Sequence, residues 1–197
     1  MSDPLLPVGD GDTEVPDDDR ASLIPSYIAT LGELHAAEFE NIATATFGRR
    51  PSAETLLDDM YLRQLHRDMF DRVWTWAGRY RILETNIGID PGLITPSIRD
   101  LTADTAALVG SHSIEMDVIA LRFHHRLVQI HPFVNGNGRH GRVAADLLVS
   151  ALGRPTFTWG RNLNISTQEL RTRYVASLRQ MDVDRENVTS LVSFARS

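Results

Sequence analysis

The chemistry in this chain is concentrated in one short stretch, His131-Pro132-Phe133-Val134-Asn135-Gly136-Asn137-Gly138-Arg139-His140-Gly141-Arg142. An imidazole opens it and, titrating near neutrality, can take a proton from a hydroxyl. Pro132 disfavours helical backbone at the residue before it, so a helix arriving from the N-terminal side must end at His131 and leave the ring at its mouth. Gly136 and Gly138 free the backbone to present successive amides that lead into the next helix, which makes an anion nest. Arg139 and Arg142 stand three apart on the first turn of that helix, where their forks can hold further phosphate oxygens. Asn-Gly dipeptides most often mark hairpin turns, but a hairpin needs alternating strands, and both flanks here carry helical periodicity.

The elements that must position these groups follow from the apolar spacing. Ile119, Phe123, Leu127 and Ile130 form a continuous stripe and predict a buried central helix from about Glu115 to Ile130. Val143, Leu147, Leu148 and Ala151 predict a second over Arg139 to Leu152, stopped by Gly153 and Pro155. Upstream, the spacing predicts helices from Thr30 to Thr46, carrying Leu34, Ala37, Asn41 and Ala45, and from Ser52 to Phe70, with Leu56, Met60, Leu65 and Met69 near one face. The aromatic segment Val73 to Arg81 reads as core near a bend. Residues 85–96 alternate β-branched side chains around a Pro-Gly pair and predict a β-hairpin of a length suited to an exposed flap. Further helices are expected from Ser97 to about Val109, Thr167 to Gln180 and Val188 to Ala195. The fold class is mainly α.

Composition removes other chemistries. The 197 residues suit one domain with a tail, and they include no cysteine, hence no disulfide, thiolate nucleophile or Cys-ligated zinc. All 20 basic residues are arginine, so there is no Schiff-base or P-loop lysine. The net charge of −6 is misleading, because seven of the 26 carboxylates lie in residues 1–19 and those remaining nearly balance the arginines. This favours no nucleic-acid surface. With no membrane-length apolar run and no basic-apolar leader, the expectation is a soluble, cytoplasmic protein without a membrane partner. Residues 1–22 read as a disordered acidic tail, and residues 23–197 as the folded domain.

At this point the chain resembles the Fic (Fic/Doc) family, whose signature runs His, any, Phe, any, Asp or Glu, Gly, Asn, Gly or Lys, Arg, any, any, Arg. His131 through Arg142 agrees at every fixed position except the acid, where Asn135 stands. Trp76-Ala77-Gly78-Arg79-Tyr80-Arg81 resembles the segment before the family's flap. The Ile24-Pro25-Ser26 start, Asn86-Ile87-Gly88 and the His-Pro-Phe form of the motif are similar to the branch called mobile mystery protein B.

The resemblance implies a Fic-type helical bundle with a small β-hairpin flap, and transfer of AMP from ATP to a Ser, Thr or Tyr hydroxyl of a target protein. It implies His131 as the base, the amides of Gly136, Asn137 and Gly138 on the α-phosphate, and Arg139 and Arg142 on the β- and γ-phosphates. Thr85, Asn86, Ile87 and Gly88 would dock the target by strand pairing. The family's acid binds Mg2+, so Asn135, a neutral oxygen, implies weakened or altered metal dependence. The family's restraining pattern is Ser or Thr, three residues, Glu, then Gly or Asn. Its Glu-Asn pair singles out Glu40, ahead of Asn41 but with Ala36 where the pattern has Ser or Thr, as an inhibitory residue on an N-terminal helix, expected to pair with the second motif arginine; an antitoxin-type partner is the other form of such control. Other Fic-type transfers (UMP, phosphate, removal of AMP) stay open, although Gly138 stands where the phosphate-transferring Doc branch has lysine. So does a non-enzymatic module that senses nucleotide or binds a partner. His124 and His125 read as structural histidines, and Arg122 and Arg126 as a solvated pair.

Overall fold

The computed structural model describes residues 20–197. The acidic run expected to be disordered lies in residues 1–19, outside the described residues. The chain is already engaged before residue 23, since the Ser22 carbonyl accepts from the Thr75 amide at 3.0 Å and the Ile24 amide donates to Val73 at 2.9 Å.

Eight α-helices are present among the described residues, with no paired strands beyond two isolated bridges, Leu23 to Trp74 and Tyr80 to Phe133. Helix α1 (Leu31–Thr46) begins at Thr30, whose hydroxyl accepts from Glu33 while the Glu33 carboxylate accepts from the Thr30 amide, a capping box. The helix expected over 52–70 is two. A single turn, α2 (Ala53–Leu56), is capped by Ser52; α3 (Asp59–Phe70) is capped by Asp58, whose carboxylate accepts from Tyr61. The break resets the helical phase. Leu56, Leu65 and Met69 are buried as their spacing predicts, but Met60 is 70% exposed.

The expected hairpin does not form. Residues 81–90 follow an irregular path with exposed side chains at 82–88, and the chain then enters a 3₁₀ turn at Pro91–Leu93 and α4 (Ile94–Ser111). Asp90-Pro91-Gly92 is a helix start rather than a hairpin turn. The Asp90 carboxylate accepts from the Gly92 amide at 2.7 Å, and Pro91 supplies a preset φ where no donor is needed.

Helix α5 (Met116–Ile130) is central, packing against α4, α6 (Asn137–Ala151) and α8 (Thr189–Arg196), while α7 (Thr167–Val183) packs on α8. Its predicted stripe is buried throughout. On α6 the predicted Leu147 and Leu148 are buried, together with Ala144, Ala145 and Val149, while Val143 is half-buried and Ala151 exposed. Helix α1 lies along α3, tied there by Asn41. Its amide donates to the Asp68 carbonyl at 2.9 Å and its oxygen accepts from the Arg72 amide at 3.0 Å.

Candidate active site

Helix α5 ends at His131 as Pro132 requires. The residue takes a left-handed conformation, φ 53°, which costs a β-carbon residue free energy and persists only when neighbours hold it. Its Nδ1 is buried without a hydrogen bond of good geometry, so an incoming hydroxyl can reach only Nε2. Burial lowers the His131 pKa below its usual value; the Val128 carbonyl offsets part of this, and the Arg81 charge adds to it. The ring is therefore neutral at pH 7 and able to accept a proton.

The loop between α5 and α6 is held from inside. Phe133 is fully buried and stacks on His66, ring centres 3.6 Å apart at 17°, with His140 against its edge at 5.1 Å. The Gly78 amide donates to His66 Nδ1, so Nε2 carries the proton and donates to the Asn135 carbonyl, each at 3.0 Å. Burial, then the neighbouring His140, push the His66 pKa well down and keep the ring neutral. Burial likewise lowers His140 to about 4, and its Nε2 donates to the Leu62 carbonyl. The Asn137 side chain closes the loop by accepting from the Phe133 amide at 2.9 Å and donating to the Phe133 carbonyl at 2.8 Å.

Two expected roles change here. The Asn135 Oδ1 turns back to accept from the Gly136 amide at 2.6 Å, which spends that amide inside the loop. The first intrahelical bond of α6 runs from His140 to Gly136, so the amides left open at the helix start are those of Asn137, Gly138 and Arg139. The nest is shifted by one residue toward the helix, where its positive dipole end adds to it.

The second change concerns the restraining acid. Glu40 is exposed, whereas Glu38, two residues earlier, is only 3% exposed. Its carboxylate accepts from Arg139 at 2.6 Å and 3.2 Å and from the Trp74 indole at 2.8 Å. The paired guanidinium is thus the first of the motif, not the second. Glu38 was missed because the motif pattern pointed to Glu40; the periodicity held the better signal, since 34, 38 and 41 share a helix face and Leu34 and Asn41 are both buried. Arg142 is buried and its guanidinium lies over the Tyr174 ring at 5.5 Å.

These groups share a cleft of about 850 Å³, within the range of small-molecule sites. Its lining includes His131, Asn135, Gly136, Asn137, Gly138, Arg139 and Arg142, together with Glu38 and Trp74 and with Asn86, Ile87 and Gly88 of the flap. Thr85 does not; its hydroxyl donates to the Ile87 carbonyl. Helix α7 also lines it, through Val175, Leu178, Arg171 and Arg179, none of which the motif announced. His124 meets the Tyr174 hydroxyl at 3.0 Å and His125 meets Asp182 at 2.9 Å. Arg122 pairs with Glu186, not with solvent alone.

The residues present do not fit a resident magnesium ion. A hard divalent ion wants charged oxygens. The loop offers one neutral oxygen already engaged by Gly136, and no group of three His, Cys, Asp or Glu residues able to hold a metal occurs among the described residues. No helix among them is long and apolar enough to cross a membrane.

A helical domain in which a histidine, a helix start rich in open amides and two arginines converge across a buried Phe-anchored turn is a Fic domain. Residues 56–149, just under half of the chain, match the model of the Fic/DOC family. A protein of Sinorhizobium fredii named "Probable protein adenylyltransferase y4lH" is 33% identical over 124 residues; the match takes in 59% of this chain and 65% of that one, just under two thirds of its length. Among solved structures, BepC of Bartonella tribocorum with bound AMPPNP has a TM-score of 0.64 at 16% identity, covering 92% of this chain and 97% of that one. The N-terminal Fic domain of a Bartonella quintana Bep effector gives 0.68 at 16% identity, covering 90% and 88%. At such identities the structures establish the fold alone.

Proposed function

We propose that the protein is an adenylyltransferase that moves AMP from ATP to a side-chain hydroxyl of a protein target. The observation that carries this reading is the sharing of one cleft by the His131 imidazole, the open amides at the α6 start and the Arg139 and Arg142 guanidiniums. His131 Nε2 takes the hydroxyl proton as the oxygen attacks the α-phosphorus; the bond from that phosphorus to the β-bridging oxygen breaks, and pyrophosphate leaves. The amides of Asn137, Gly138 and Arg139 face the charge that builds on the α-phosphate oxygens. Arg142, and Arg139 once released from Glu38, hold the leaving phosphates. The flap residues Asn86, Ile87 and Gly88 lie where a target segment would bring its hydroxyl to His131. The adenylyltransferase name of the Sinorhizobium relative and the AMPPNP in BepC support this choice among Fic-type transfers. With a neutral oxygen at position 135, the phosphate contacts rest on amides and guanidiniums, ATP is the substrate, and the enzyme is read as cytoplasmic.

The test is incubation with a lysate and ATP labelled at either the α or the γ position, with His131→Ala as control. Protein label from α alone, lost in His131→Ala, is the expected result; label from γ alone would mean phosphate transfer. A second reading, a nucleotide-binding module with little turnover, is favoured by the Asn135 side chain folded onto its own loop and by the Glu38 carboxylate on Arg139. Saturable ATP binding with no label transferred, even after Glu38→Gln, would select it.

A further inference from the structure

Arg81 is 4% exposed and has no carboxylate among its hydrogen-bond partners. A guanidinium in such a place needs acceptors for nearly every donor. It finds four carbonyls. Nε donates to His131 at 2.7 Å, Nη1 to Leu83 at 3.0 Å, and Nη2 to Ile89 and, at 3.5 Å, to Ile130. Two of these acceptors are at the C-terminal end of α5, where unsatisfied carbonyls and the helix dipole favour a cation. The other two are at opposite ends of the flap loop.

Backbone bonds run alongside. The Arg81 amide donates to Pro132 at 2.9 Å and the Ile89 amide to Ile130 at 3.4 Å. Gly88 sits against both partners, since a β-carbon there would come within 2.6 Å of Arg81 Nη2 and 2.7 Å of the His131 Cβ. The flap therefore closes on the histidine through one side chain. His131 itself has a conformation that needs holding, and its carbonyl accepts from Arg81 Nε at 2.7 Å.

We propose that Arg81 is a positioning residue that ties the flap and His131 into one unit, so that the segment docking the target and the atom receiving its proton keep a fixed relation. The role of that unit in transfer rests on the adenylyltransferase reading; the tie itself does not. Lysine cannot replace the fork, because one ammonium with three donors on a flexible stem reaches only some of the four carbonyls.

Hydrogen exchange on the full chain tests the tie without any turnover. In Arg81→Gln the amides of Arg81 and Ile89, both hydrogen-bonded to the Pro132 and Ile130 carbonyls, are expected to exchange at least tenfold faster, with Arg81→Lys intermediate, while α7 and α8 keep their rates. Unchanged exchange at Ile89, or a rise shared equally by α7, overturns the proposal. Should Arg81→Gln fail to fold, Arg81→Lys carries the same comparison. Where the wild type transfers label, Arg81→Lys is expected to raise the KM for the target about tenfold with ATP affinity within twofold of wild type; a loss confined to ATP affinity overturns the coupling. A wild type that transfers nothing removes the adenylyltransferase reading and leaves the exchange result standing.

Discussion

The Glu38 carboxylate and the Arg139 guanidinium, 101 residues apart in sequence, meet at 2.6 Å inside the cleft, where the Trp74 indole also donates to the acid. In the proposed function ATP has to displace this carboxylate before Arg139 can hold a phosphate. Hydrogen bonds between charged groups contribute about 1.5–3 kcal/mol, so weakening the pair is expected to tighten ATP binding about tenfold. Glu38→Gln, which keeps an acceptor for Trp74, should show this by calorimetric titration, with Glu40→Gln matching wild type. Equal affinities for wild type and Glu38→Gln would show that the pair does not restrain nucleotide.

Asn135→Asp restores a charged oxygen at the loop position where the family carries its metal-binding acid. Its expected effect is a steeper dependence of transfer on magnesium, with half-maximal rate at a concentration about tenfold lower than in the wild type. Transfer rates measured over a magnesium series decide this, and coincident curves for the two proteins would refute it.

Burial is the largest influence on His131, and it lowers the pKa. In the proposed mechanism the neutral ring is the base, so activity is present above the folded pKa and lost as pH falls through it. The rate is expected to be level from pH 7 to 8 and to halve at a pH below 6.5. A midpoint above 6.5 in the pH–rate profile would contradict the assignment of His131 as a buried, neutral base.

Of Gly136 and Gly138, only the first is held by the surrounding packing. At Gly136, φ is 79° and a β-carbon would lie 2.6 Å from the Phe70 ring, whereas at Gly138 the nearest atom, Arg142 Nη1, is 3.7 Å away. Gly136→Ala is expected to lower unfolding free energy by about 2–4 kcal/mol through strain and overpacking, and Gly138→Ala by less than about 0.5 kcal/mol. Urea denaturation midpoints of the two variants provide the check; similar losses would show that the loop is not anchored on Phe70.

Much of the site can be read from local pattern, because its parts are neighbours in sequence. Pro132 ends α5 at His131, the apolar stripes of α5 and α6 bury the helices on either side, and Phe133 anchors the turn between them. The β-hairpin expected over 85–96 does not form, for an equally local reason. Asp90-Pro91-Gly92 suits a turn or a helix start, and the choice depends on whether a strand partner exists, which no window around residue 90 can reveal. Asn135 shows the same boundary from inside the motif: its residue type predicts a weak metal ligand, but not that its oxygen would accept from Gly136.

Residue identity alone thus determined that a base, a run of amides and two guanidiniums would occur at one helix–helix corner, since proline, glycine and helical periodicity act over a few residues. The tertiary structure decided which groups hold and restrain that corner. Asn41 bridging α1 to the end of α3 sets Glu38, not Glu40, against Arg139; His66 reaches the Asn135 carbonyl from α3; and Arg81 gathers carbonyls from the flap and from α5. Each of these contacts joins elements far apart in sequence, and its energy comes from burying a polar or charged group with its partners in place, a condition that only the packed chain can meet.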